Sequence, residues 1–263
     1  MESVTKEILK ESFSKLGIKA GMKIIVHSSL KSFGHVEGGA DTVIDALMEL
    51  VTEKGTIVMP SFNHGRPYAN NDIFDIEKTP TKNGIIPETF RKRSGVLRSI
   101  NPTHSFAAWG KDHKRYVKDH QKYDCMGDNS PLSRLMADDA YCLLLGVGYD
   151  SNVFHHHAET MVGAPCISKR GEEYPVRLAD GSIITAHTWG WRNGECYITD
   201  LAAYGEYMKP IEKRTKIGNA DVILYKLSEG YKIICDCLEN GINGRGSCKT
   251  CTIRPRVCKW TVE

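Results

Sequence analysis

KIIVHSSLKSFGHVEGGADTVIDALMELVTEKGTIVM, residues 23–59, decides the fold class. It opens with a short apolar run rich in β-branched residues at 23–27, the pattern of a buried strand. A polar loop carrying Gly34, Gly38 and Gly39 follows. Over 41–51 the period changes to that of a helix, with Val43, Ile44, Leu47, Met48, Leu50 and Val51 on or near one face. Gly55 closes that helix, and 56–59 is a second buried strand. Strand, loop, helix, strand is the unit from which layered α/β folds are built.

Working outward, residues 4–16 place Val4, Ile8, Leu9, Phe13 and Leu16 at helical spacing, stopped by Gly17. Residues 63–84 have no period and are rich in Asn, Gly, Pro and Asp, so a long irregular loop, functional or mobile, is expected there. A short helix is expected at 87–93 and another at 131–136, the second capped by Asn129 or Ser130. Residues 141–147, YCLLLGV, are the most apolar strand in the chain. Segments 176–179 and 183–187 flank Ala179-Asp180-Gly181, a hairpin signal. A further strand is expected at 221–227 and a helix at 231–238. There is no internal repeat and no linker. The expected architecture is α/β: a single layered domain over 1–263 with a mixed central sheet flanked by helices.

The chain has 263 residues, 41% hydrophobic and 25% charged, which is enough to bury a core without disulfides or metals. Its 35 basic and 32 acidic residues nearly cancel, unlike the one-sided basicity of a nucleic-acid-binding domain. No apolar run nears the roughly 18 residues of a membrane span. The charged, helical N-terminal stretch is neither a signal peptide nor an anchor, so a cytoplasmic protein is expected. Nine cysteines without a secretory signal are expected to be reduced thiols. Cys248-x-x-Cys251, with Cys258 and Cys235 or Cys237, leaves a structural zinc or a redox pair as alternatives.

Three segments carry chemistry. The loop after the first strand holds His27, Ser28, Ser29, Leu30, Phe33, Gly34, Gly38 and Gly39 just before a helix N-terminus. There free N–H groups and the helix dipole favour an anionic ligand, although an ordinary Gly-rich turn fits too. It is neither a Walker A loop nor a G-x-G-x-x-G fingerprint. Residues 98–110 combine Arg98, Ser105 and Phe106 with a Pro turn, suiting an adenine or pantetheine contact or a structural loop. Residues 149–159 contain three successive histidines after the apolar strand. On a helix these point about 100° apart and cannot all converge on one ion. His156 and Glu159, three apart, share a face, and His155 with Glu159 is a second pairing. A histidine held by a carboxylate serves as a general base, and a packing cluster is the alternative.

Taken together, the stretches 27–47, 55–62, 84–110, 127–135 and 143–159 resemble the aminoglycoside 3-N-acetyltransferase family, also called the antibiotic N-acetyltransferases. The resemblance spans roughly residues 1–227. It implies an α/β fold distinct from the GNAT acetyltransferases, acetyl-CoA as co-substrate and transfer to an amine. It places the catalytic histidine at His156, with Val153 standing where the family motif usually has Thr. It implies a second carboxylate downstream, matched by Glu206, and puts coenzyme A against Ser28, Ser29, Leu30, Ser105 and Phe106. A polycationic acceptor calls for carboxylates, for which Asp72, Asp75 and Glu77 are the candidates. No metal is expected in catalysis. The expected partners are coenzyme A and a small polyamine, with neither nucleic acid nor membrane, and with monomer and homodimer both open. The rival readings are acetylation of another amine, a CoA-binding protein without catalysis, and a zinc amidohydrolase using the histidine run.

Overall fold

The computed structural model describes residues 3–63, 73–162, 170–189 and 204–240. The strands are β1 (Lys23–Ser28), β2 (Thr56–Pro60), β3 (Phe74–Asp75), β4 (Leu97–Arg98), β5 (Phe106–Gly110), β6 (Tyr141–Leu145), β7 (Glu173–Arg177), β8 (Ile183–His187), β9 (Lys213–Ile217) and β10 (Ala220–Lys226). The helices are α1 (Lys6–Leu16), α2 (Gly39–Val51), α3 (Ile85–Phe90), α4 (His113–Val117), α5 (Pro131–Ala137), α6 (Phe154–Met161), α7 (Gly205–Met208) and α8 (Leu227–Glu239). Seven strands form one sheet in the order β4-β5-β2-β1-β6-β10-β9, and β3-β7-β8 form a second, smaller one.

In the large sheet β1 lies parallel to β2 on one side and to β6 on the other. The outer strands β5 and β10 run antiparallel to their neighbours. The sheet is therefore mixed, as expected. Alternation along β1 separates two cores. Ile24 and Val26 face α1, α2 and α3 with Ile57, Met59, Leu143 and Leu145. Ile25 faces the opposite layer with Val58, Cys142 and Leu144, against apolar residues of α5, α6 and α8. Both faces are thus covered by helices, which is why β1, β2 and β6 read as continuous apolar runs.

Local chemistry sets several boundaries differently from the sequence reading. α1 starts at Lys6, because Thr5 accepts the backbone N–H of Ile8 as a cap, and Val4 instead bridges to Val36. Gly17, at φ +110°, ends the helix with its N–H on the carbonyls of Phe13 and Ser14. α5 is capped by Ser130, while α3 begins two residues before Pro87. The stretch 98–110 is not a free loop. Leu97–Arg98 and Phe106–Gly110 pair antiparallel and add two strands to the sheet edge.

The parallel strands carry their C-terminal ends to one edge. The chain leaves β1 towards β2 and later returns on β1's other side as β6. That reversal opens a crevice between the ends of β1 and β6, the place where open α/β sheets bind ligands. Arg98 and Asn101 tie the two sheets together, donating to the carbonyls of Thr79 at 2.5 Å and His187 at 3.3 Å. Among the described residues no helix is long and apolar enough to cross a membrane. The described cysteines Cys125, Cys142, Cys235 and Cys237 are free thiols. Burial pushes the Cys142 thiol up to about 12, so it stays protonated. Cys166, Cys196, Cys248, Cys251 and Cys258 lie outside the described residues.

Candidate active site

α6 begins nine residues after β6 and is anchored by Asn152. The Asn152 side-chain oxygen accepts the N–H of Phe154 at 3.2 Å, its amide donates to the Tyr225 hydroxyl at 2.8 Å, and its carbonyl accepts Nδ1–H of His155 at 2.6 Å. The first turn of α6 is therefore fastened to β10, the neighbour of β6 in the sheet, and its side chains have fixed directions.

The three histidines separate as helical geometry requires. His157 turns away and donates Nδ1–H to the carbonyl of Met126 at 2.8 Å. His156 turns to Glu159, with Nδ1 2.7 Å from Oε2, and both side chains are buried. His155 points its Nε2 at the same carboxylate oxygen, 3.5 Å away. An ionised carboxylate is an acceptor only, so Nδ1 of His156 carries the proton and Nε2 is left as its basic atom. The sequence spacing gave the His156–Glu159 pair, and the structure brings the two together.

His156 forms part of the wall of a cavity of about 490 Å³ at the C-terminal edge of the sheet. Val26, His27 and Ser28 of β1, Pro60 of β2 and the 150–156 segment supply most of one side. Another part of the wall is aromatic. The Trp189 ring lies 4.7 Å from that of His156 and 4.8 Å from that of His104, which in turn packs 4.7 Å from Phe62. Volume and mixed lining suit a small-molecule site. Burial pushes the imidazoles of His27 and His155 down to about 3, so both are neutral at ordinary pH. Nε2 of His27 and Oγ of Ser28 are buried with no hydrogen-bond partner among the described residues. Such groups at a cavity wall are ready to meet a polar ligand.

Other members of the expected set stand elsewhere. Ser29 and Leu30 begin a single 3-10 turn, in which Ser32 donates to the carbonyl of Gly146 at 2.6 Å. Phe33 is not at the surface of the loop: its ring is buried in the core beneath α2. Gly34, at φ +84°, and Gly38, at φ +71°, make the turn into α2, whose start at Gly39 has no side-chain cap. The Gly39 N–H is given to the carbonyl of Val36 at 3.0 Å, so an anionic ligand there would meet the N–H groups that follow it.

Arg98 is a structural clamp rather than a cofactor contact. Its guanidinium donates to Oγ of Ser105 at 2.8 Å and to the carbonyl of Ser61 at 2.7 Å, and it sits 4.7 Å over the Phe74 ring. Ser105 and Phe106 are fully buried, Ser105 donating to the carbonyl of Ser61 and Phe106 lying in the core. Asp75 spends its Oδ1 on the N–H groups of Glu77 and Lys78, and neither Asp75 nor Glu77 lines the cavity. Asp72 lies outside the described residues. Glu206 has a side chain 77% exposed and paired with Lys209 at 2.6 Å, so it is not a partner of His156. The buried carboxylate of that region is Glu212, 2% exposed and held by the hydroxyl of Tyr149 and by Arg214. Phe62, His104, Trp189 and Asp150 also line the cavity. His104 and Asp150 lie inside the 98–110 and 149–159 segments that the sequence marks for chemistry, whereas Phe62 and Trp189 carry no such signal of their own.

A profile of the family described as aminoglycoside 3-N-acetyltransferase matches residues 25–239. A prophage-derived aminoglycoside N(3')-acetyltransferase-like protein of Bacillus subtilis, YokD, is 40% identical over 187 residues, covering 64% of this chain and 69% of that protein. Among solved structures, aminoglycoside acetyltransferase AAC(3)-Xa superposes with a TM-score of 0.81 at 26% identity, covering 92% of this chain and 94% of the other. A histidine-to-alanine mutant of aminoglycoside acetyltransferase AAC(3)-IVa, in complex with a gentamicin, superposes with a TM-score of 0.78 at 26% identity, covering 92% of both chains.

Proposed function

The chain belongs to the aminoglycoside 3-N-acetyltransferase family, and on that premise we propose that it moves the acetyl group of acetyl-CoA to an amine of an aminoglycoside antibiotic, the 3-amine of its 2-deoxystreptamine ring, and so confers resistance. The observation that carries the reading is the buried His156–Glu159 hydrogen bond of 2.7 Å at the wall of the cavity. An aminoglycoside amine is an ammonium at neutral pH and has no lone pair for attack. Nε2 of His156 takes its proton, while Glu159 fixes the ring and stabilises the imidazolium that results. The freed nitrogen attacks the thioester carbon. The tetrahedral intermediate then collapses: the C–S bond breaks, the CoA thiolate takes the second proton from the acylated nitrogen, leaving a neutral amide, and His156 releases the first proton to solvent. Ser28, whose buried hydroxyl has no partner among the described residues, donates to the oxyanion of that intermediate.

The start of α2 at Gly39, with Ser29, Leu30, Gly34 and Gly38 before it, supports the expected coenzyme A surface together with His27 and Ser28 at the cavity wall. From the described lining, the cation of the acceptor meets the carboxylate of Asp150. The ties from Arg98 and Asn101 between the sheets support a single domain. A soluble, cytoplasmic enzyme fits a co-substrate that is made and used there.

The test is a thiol-release assay with acetyl-CoA across 2-deoxystreptamine aminoglycosides and simple amines, with the product's acetyl position read by NMR. Acetylation at the 3-amine is the expected result. Thiol release with a neutral amine or monoamine and with no aminoglycoside overturns the acceptor and leaves the chemistry standing.

A further inference from the structure

The side chains of His155, His156 and Glu159 do more than build a base. Their nearest ligand atoms lie within 4.8 Å of one another, and all three residues are buried. Two histidines and a glutamate are a donor set that zinc uses in catalytic sites. With metal–ligand bonds of about 2.05 Å, the edge of a tetrahedron is about 3.4 Å. Nε2 of His155 and Oε2 of Glu159 are 3.5 Å apart, so one ion reaches both without moving either. The outer contact fits as well. Nδ1–H of His155 is given to the carbonyl of Asn152 at 2.6 Å, which fixes the tautomer and leaves the Nε2 lone pair facing the carboxylate. Metal-bound histidines are held by this kind of backbone contact. Among the described residues Nε2 of His155 is buried with no hydrogen-bond partner, and it faces Oε2 of Glu159, the oxygen that accepts Nδ1–H of His156. A cation resolves that arrangement.

We propose that His155, His156 and Glu159 form a binding site for a divalent transition ion, zinc above all, and that the bound ion shuts off the base. His156 and Glu159 would separate from 2.7 Å by about 0.7 Å to admit the ion between them. Nδ1 of His156 then binds metal, and its proton moves to Nε2. No proton is lost overall, but the atom that must accept one from the ammonium already carries one. Water from the cavity, whose wall includes His155 and His156, completes the coordination. His157 takes no part, since its Nδ1 faces Met126. The inhibition rests on the acetyl-transfer reading, whereas the binding site does not.

The test uses the full chain, stripped of metal by chelation and alkylated under native conditions so that accessible cysteines do not compete. Co2+ is titrated and followed by its visible absorption, which reports coordination geometry and separates thiolate ligands from imidazole. The expected result is one equivalent bound without sulfur charge-transfer bands, displaced by Zn2+. Zn2+ should raise the Tm of the parent, and at saturation it should lower acetyl transfer more than tenfold, with recovery on adding chelator. His155→Leu should bind no Co2+, and its Tm and its own metal-free rate should not respond to Zn2+. Glu159→Gln, which keeps the side-chain shape, should also lose Co2+ binding. Uptake that disappears on alkylation, or His155→Leu and Glu159→Gln proteins that bind Co2+ as the parent does, overturns the site. Co2+ bound at the predicted stoichiometry with no loss of acetyl transfer overturns the inhibition. A parent with no acetyl transfer at all leaves the spectra and melting curves to decide the metal site by themselves.

Discussion

Lowering the pH from 7.5 to 5.5 should destabilise this protein well above the range in which carboxylates titrate. His27 and His120 are buried and neutral. Burial pushes His27 down to about 3 and His120 to about 4. His120 is locked in place, with Nε2–H donated to the carbonyl of Cys125 and Nδ1 accepting from Ser99, both at 2.9 Å. In the unfolded chain each imidazole takes a proton near pH 6.5. Because the folded pKa lies below the unfolded one, the unfolded state binds more protons in this window, and stability is lost as the pH falls through 6.5. Between pH 7.5 and 5.5 each such histidine costs about 1.4 kcal/mol, so the pair costs about 3 kcal/mol. The buried His155 and His157, shifted in the same direction, steepen the loss. For a chain of this size a loss of about 3 kcal/mol lowers Tm by roughly 5–10 °C. Glu49, held near 2 by its hydrogen bonds to Lys10 and Lys6, begins to matter only below about pH 4.5, so the two effects separate on the pH axis. Thermal melts at pH 7.5, 6.5 and 5.5 in the presence of chelator measure the slope. His120→Gln keeps one donor and one acceptor without titrating, and should remove about one proton from it. A Tm that stays flat from pH 7.5 to 5.5, or a slope unchanged in His120→Gln, refutes the assignment of these imidazoles as buried and neutral.

Three substitutions separate the chemistry from the scaffold. His156→Ala should lower kcat by about 10²–10⁴-fold while acetyl-CoA binding measured by calorimetry stays near that of the parent, since the residue supplies a base and no described cofactor contact. Ser28→Ala removes a buried hydroxyl that has no partner among the described residues, so Tm should hold or rise while kcat falls by about 10²-fold. A variant that loses Tm and keeps kcat would make Ser28 structural. Arg98→Ala takes the guanidinium donor from the Thr79 carbonyl and the Ser105 hydroxyl and leaves the Ser61 carbonyl with Ser105 alone. It should cost about 2–3 kcal/mol in urea denaturation, with the KM for acetyl-CoA unchanged in the folded fraction.

What could be read from the sequence divides along a physical line. β1, β2, β6 and β10 announce themselves because both their faces are covered, so nearly every residue in them is apolar. β9, KRTKI, hides because it is an edge strand whose charges face water and guard the edge. β5, FAAWG, hides because alanine and glycine carry little strand preference, and its place is fixed by pairing with β2. The site divides in the same way. His156 and Glu159 are three residues apart on one helix, so their contact is local and the spacing reveals it. The walls formed by Phe62, His104 and Trp189 meet only after two sheets have assembled, and no window of sequence contains them. Arg98, Ser105 and Phe106 show the harder case. A guanidinium, a hydroxyl and a ring beside a Pro turn suit a cofactor loop, and they suit equally a clamp on buried carbonyls. The residue types are the same, and the choice depends on whether their donors face solvent or backbone. The pairing of β4 with β5 settles it by turning those donors inward onto Ser61 and Thr79. His155 carries the argument one step further. In the sequence it is one of three histidines that cannot all converge. In the structure its backbone contact to Asn152 aims its second nitrogen at the carboxylate that already holds His156. The second pairing that the spacing offered, His155 with Glu159, is therefore the one on which the proposed metal site depends.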